Sequence, residues 1–115
     1  MTFTLNTYRV GDVVIIQPHG RITLGEASNS LRDAVRDLVR RGEKKMVLDF
    51  SSVIYIDSTG IGELVSAYTT IRNRGGTLKL SNVGDRAHHL LRITKLVSIF
   101  EIFQEEQAAV SSFSA

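Results

Sequence analysis

Four consecutive residues, Asp57-Ser58-Thr59-Gly60, set a carboxylate and two hydroxyls between an apolar run and a helical apolar pattern. The run is Val53-Ile54-Tyr55-Ile56, and the helical pattern begins at Ile61. The tetrapeptide therefore falls where a loop hands the chain to a helix N-terminus. Backbone N–H groups at such a point lack partners, and the macrodipole presents positive potential. A hydroxyl held there can carry a phosphate more readily than elsewhere on a surface, which makes Ser58 the residue to explain. Ser, Thr and Asp are also ordinary helix caps, worth about 1 kcal/mol, and a cap needs no partner protein. Asp57 fills that role equally well, which would make it structural and leave Ser58 pointing outward.

Catalytic constellations are missing one by one. The serine lacks the glycine two residues before it that a nucleophile elbow requires; Ile56 stands there. Gly60-Ile61-Gly62 resembles the start of a dinucleotide fingerprint, but Val65 occupies the third glycine position. No Walker lysine follows a glycine-rich loop. His19, His88 and His89 have no cysteine partner, and adjacent helical residues point about 100° apart, so they do not share a metal-facing side. These residues predict neither an enzyme nor a metal or cofactor site.

The elements that must position Ser58 follow from periodicity. Phe3 to Val10 and Val13 to Pro18 read as two strands around a Gly11-Asp12 turn. Thr23-Leu24-Gly25-Glu26 has capping-box spacing, with Thr23 capping and Glu26 reaching back. The helix it opens aligns Leu31, Ala34, Val35, Leu38 and Val39, and Gly42 closes it. Lys45 to Phe50 is the next strand, and Val53 to Ile56 leads into the tetrapeptide. A second helix is expected to bury Ile61, Leu64, Val65, Tyr68 and Ile71 before stopping at Gly75-Gly76. Thr77 to Leu80 is a strand, Asp85 to Thr94 a short helix, Ile99 to Phe103 a final strand and Glu105 to Phe113 a terminal helix. The alternation predicts one α/β domain over residues 1–115. Its mixed sheet of four to five strands opens with a hairpin and is covered by about four helices.

Composition agrees with that class. A chain of 115 residues, 43% hydrophobic and 23% charged, can build one real core. No apolar run approaches a bilayer span, and the start MTFTLNTYRVGD lacks the regions of a signal peptide. The expectation is a soluble, cytoplasmic protein without a membrane partner. Zero cysteines exclude disulfides, zinc-thiolate sites and thiol nucleophiles. The net charge is only +2. The basic stretch from Arg32 to Lys45 interleaves Asp33, Asp37 and Glu43 and has no stacking aromatics. It reads as a solvated helix face with ion pairs such as Asp37 with Arg41, not as a nucleic-acid patch.

Set in register, these features resemble a STAS domain, the fold of bacterial anti-sigma factor antagonists. The likeness runs from about Tyr8 to Phe113. It rests on the opening hairpin ending in His19-Gly20-Arg21-Ile22, the stretch MVLDFSSVIYIDSTG with its continuation IGELVSAY, and Arg74-Gly75-Gly76 before TLKLSNV. The block from Leu91 to Leu96 and the IFEIF segment also fit.

The resemblance implies a switch, not a catalyst. In that family the serine directly after the loop aspartate is phosphorylated by a partner that is both anti-sigma factor and serine kinase; that position here is Ser58. The unphosphorylated antagonist binds the kinase and frees the sigma factor. The phosphorylated form lets go, and a serine phosphatase resets it. Asp57 and Gly60 match the fixed motif positions, and Thr59 is an accepted variant of the third. The implied partner-binding set is Asp57, Ser58, Thr59, Gly60, Ile61, Gly62 and Thr23. Gly60 and Gly62 would let a kinase and its nucleotide approach the backbone. Many members carry an acidic residue where Thr23 stands, a departure that favours its capping-box role. Some STAS domains are instead scaffolds or accessory subunits of signalling or transport complexes, which is the alternative function the resemblance allows.

Overall fold

The structure is a computed structural model and describes residues 3–114. A two-residue loop, Gly11-Asp12, joins β1 (Thr4–Val10) to β2 (Val13–Ile22), and Val10 faces Val13 across the antiparallel pair. The chain continues through α1 (Glu26–Arg40), β3 (Lys45–Asp49), β4 (Val53–Ile56), α2 (Ser58–Asn73) and β5 (Thr77–Ser81). After α3 (Asp85–Ile93) come a 3₁₀ turn over Leu96–Ser98, β6 (Ile102–Phe103) and α4 (Glu106–Ser112).

The sheet has six strands in the order β1-β2-β3-β5-β6, one more than the upper expectation, with β4 paired to β2 off that path. All pairs except the opening hairpin are parallel. β2 serves two neighbours in succession. Its Val14–Ile16 segment pairs with β3, and Gly20–Ile22 pairs with β4 across a register shift. That second pairing carries β2 four residues beyond Pro18, the expected end of the strand.

Alternation along β2 divides the core. Val14 and Ile16 join the large cluster with Leu31 and Val35 of α1 and Leu64 and Ile71 of α2. Val13 and Ile15 turn to the opposite face, where they meet Val47 and, on α4, Ala109. At about 25 cal/mol per Å² of apolar surface removed from water, the large cluster supplies the main favourable term in folding.

Three local expectations are corrected. Thr23 does not cap α1 with its side chain: Gly25, with φ 105°, stands at the N-cap, and no side chain caps that end. Only glycine adopts that backbone angle cheaply, so the chain enters α1 two residues later than the capping box requires. Asp57 accepts a hydrogen bond from the Gly60 N–H, which starts α2 at Ser58 and not at Ile61. The IFEIF segment forms a strand only at Ile102–Phe103, because the 3₁₀ turn and the buried Phe100 precede it. Other expectations hold: Gly42 has φ 85° just past α1, and Arg41 pairs with Asp37 at 3.0 Å. Among the described residues, no helix is long and apolar enough to cross a membrane.

Candidate phosphoacceptor site

The site begins where β2 and β4 end. Ile22 lies opposite Ile56 in the parallel register, so Thr23 and Asp57 leave the two strands side by side. Asp57, with φ −111° and ψ −172°, is extended and closes the first turn of α2. Its Oδ1 accepts from the Gly60 N–H at 2.9 Å, and its carbonyl accepts from the Ile61 N–H at 2.9 Å. Asp57 is therefore the helix cap. The N–H groups of Ser58 and Thr59 precede the first intrahelical bond and remain without a partner within the helix.

Ser58 occupies the first helical position and is exposed, as is Thr59. The helix dipole leaves partial positive charge there, and the carboxylate of the preceding residue, Asp57, accepts from the Gly60 amide. The arrangement presents a primary hydroxyl to solvent beside two free backbone donors.

The other residues of the expected partner-binding set divide by burial. Gly62 is exposed and has open space around it. Gly60 and Ile61 are buried. A Cβ at Gly60 would run into the Ile22 carbonyl oxygen and lie 2.6 Å from Ile56 Cγ1. Gly60 thus lets α2 pack against the ends of β2 and β4, which corrects its reading as an opening for an approaching nucleotide. Thr23 is half-buried, and its carbonyl accepts from Ser28 Oγ at 2.9 Å. Leu24, next to it, is 80% exposed, and Ile54 on β4 is 64% exposed.

Three features near the site were not legible in the sequence. Glu63, on the core side of α2 and only 7% exposed, accepts from Arg32 of α1 at 2.8 Å. Its place between Ile61 and Leu64 hints at burial, but not at its partner. The second is a polar network beneath the β3–β4 turn. Asp49, 1% exposed, accepts from Gln17 (2.9 Å), Ser51 (2.5 Å), Ser81 (2.8 Å) and Asn82 (2.6 Å). Burial alone would raise the Asp49 carboxyl, but these four donors hold it below the usual carboxylate range. The third is a stack in which Arg21 and Arg86 both lie over the Tyr55 ring. It needs the β2–β4 register and the approach of α3, neither of which the sequence pattern discloses.

An α/β sheet with this strand order and this serine at the head of α2 defines the class, and residues 4–109 match the STAS domain family. The chain belongs to that family. It is 32% identical over 80 residues to the anti-sigma-B factor antagonist of Bacillus subtilis (strain 168), covering 70% of this chain and 72% of the relative. An anti-sigma factor antagonist from Mycobacterium paratuberculosis has TM-score 0.88 at 19% identity, covering 99% of this chain and 96% of that one. The Bacillus cell fate determinant SpoIIAA in its phosphorylated form has TM-score 0.75 at 17% identity, over 97% and 99% of the two chains. At these identities both structures speak for the fold alone.

Proposed function

We propose that this protein is an anti-sigma factor antagonist that works by partner switching, with Ser58 as the phosphoacceptor. In its unphosphorylated form it binds an anti-sigma factor that is also a serine kinase, and the sigma factor is released. The kinase transfers the γ-phosphoryl group of ATP to Ser58 Oγ; the bond to ADP breaks, and the serine proton passes to a base of the kinase. The product leaves the kinase until a serine phosphatase hydrolyses it. The setting is the cytoplasm, where sigma factors act.

The observation that carries this reading is the exposed Ser58 hydroxyl at the first position of a capped helix. Because Asp57 supplies the cap, the serine has no structural task in the first turn. The surface around it also suits a partner, since Thr59 and Gly62 are exposed with it and Leu24 offers an apolar contact.

Charge explains the release. A phosphoserine adds about −1.5 to −2 charges beside Asp57. Placing that cluster in an interface without cationic partners costs several kcal/mol, and each 1.4 kcal/mol is about tenfold in affinity. A single phosphate therefore suffices to dissociate a complex of ordinary strength without refolding either protein.

The test is incubation with the cognate anti-sigma factor kinase and ATP, followed by intact mass and peptide mapping. Wild type should gain one phosphate, mapped to Ser58. Ser58→Ala should gain none yet still bind the kinase, and Ser58→Asp should bind weakly. Labelling at another residue, or tight binding by Ser58→Asp, defeats the reading.

A further inference from the structure

We propose that the cleft between α3 and β6 binds a small organic molecule with one carboxylate and an apolar body. No residue from the head of α2 lines this cleft, so the proposal stands apart from the reading of Ser58.

The cleft has a volume of about 470 Å³, within the ordinary range of ligand sites. Val83 in the link after β5, with Ile102 and Phe103 of the edge strand β6, supplies its apolar walls. Val83 and Ile102 pack against the large core cluster, and Phe103 packs against the small one. Each wall is therefore held from behind by packed side chains, and the cleft exists before anything enters it.

The α3 side supplies the charge. Asp85, His88 and Arg92 all line the cleft, at the i, i+3 and i+7 spacing that stacks side chains along one helix face. Arg92 Nη1 lies 3.2 Å from His88 Nδ1. A guanidinium can only donate, so the imidazole accepts through Nδ1 and carries its hydrogen on Nε2. The contact makes His88 a neutral donor and steadies Arg92, whose other N–H groups stay free for a ligand. Among the described residues Arg92 takes part in no ion pair.

A carboxylate answers this arrangement, because it accepts paired, charge-assisted hydrogen bonds from a guanidinium fork. Asp85 limits the charge. A dianion such as phosphate would meet its carboxylate, whereas Arg92 alone balances a monoanion. The apolar walls favour a hydrocarbon body over a bare anion, since burying that body removes apolar surface from water.

The experiment titrates the protein with benzoate and follows the backbone amides and the His88 ring by NMR. A ligand this small should saturate the site at roughly millimolar concentration. Shifts should centre on Val83, His88, Arg92 and Ile102, and the turn carrying Ser58 should stay unmoved. Benzamide keeps the shape without the charge, acetate the charge without the body, and inorganic phosphate adds a second charge. Each should bind at least about tenfold more weakly than benzoate. R92Q should weaken benzoate by about tenfold or more, and R92K, which keeps the charge but loses the fork, should recover only part of that loss. Failure to saturate at these residues, equal binding of benzoate and benzamide, or tighter binding of phosphate there would overturn the proposal. So would full benzoate affinity in an R92Q variant with unchanged circular dichroism. Each of these outcomes leaves partner switching intact, because kinase labelling of Ser58 is measured separately.

Discussion

Gly60 and Gly62 sit two residues apart in α2, and the same substitution should move stability in opposite directions at the two. Alanine in an exposed helical position gains about 0.5–1 kcal/mol over glycine, and Gly62 has open space for the methyl. At Gly60 the added carbon collides with the Ile22 carbonyl and crowds Ile56. Overpacking of that kind costs about 1–3 kcal/mol and outweighs the propensity gain. Denaturant unfolding should therefore rank Gly62→Ala above wild type and Gly60→Ala below it. The cap and the proposed phosphoacceptor separate in the same assay. Asp57→Ala should lose about 1 kcal/mol with the cap, whereas Ser58→Ala should stay near wild type. The motif made Ser58 and Asp57 legible as candidates, since residue type and position before the helix suffice for that. The packing task of Gly60 was hidden because its contact, Ile22, lies on another strand.

Among the elements, β4 aims the serine, and the Asp49 network fixes how the chain enters β4. Gln17 of β2, Ser81 of β5, Ser51 in the turn and Asn82 all donate to one carboxylate on β3. Asn82 does so from a left-handed backbone, φ 54°, which asparagine tolerates better than most residues. Because the folded Asp49 titrates below its unfolded value of about 3.9, its contribution is present above that pH and is lost as pH falls through the folded value. Acid unfolding of the wild type should show this loss. Asp49→Asn, which cannot titrate, should be less stable at neutral pH and flatter across the acid window. A common acid slope for the two proteins would remove Asp49 from this role. Periodicity revealed nearly every element, but it misplaced boundaries set by partners. β2 runs past Pro18 because β4 waits beside it, and the capping box gave way to Gly25 because the link from β2 needs a positive φ.

For the whole molecule, layering decides what a partner can meet. The large cluster lies under α1, α2 and α3, while α4 covers the opposite face of the sheet. The short α4 is held by Ala109 and by buried Lys79, which donates to Ser112 Oγ at 2.7 Å and lies 4.2 Å from the Phe113 ring centroid. Removing residues 105–115 should expose Val13, Ile15 and Val47, seen as binding of a hydrophobic dye and a lower melting temperature. The mixed sheet with its opening hairpin was legible from the order of patterns, but the extra strand pairing and the lysine anchor were not. They depend on contacts between segments far apart in the chain. Ser58 stands clear of both cores, so adding charge there should alter what the protein binds and not how it folds. The most direct measurement is the affinity of the proposed partner, an anti-sigma factor kinase, for two forms of this chain, one with serine and one with encoded phosphoserine at position 58. The account predicts at least about tenfold weaker binding by the phosphorylated protein, with unchanged circular dichroism. Equal affinities would contradict it.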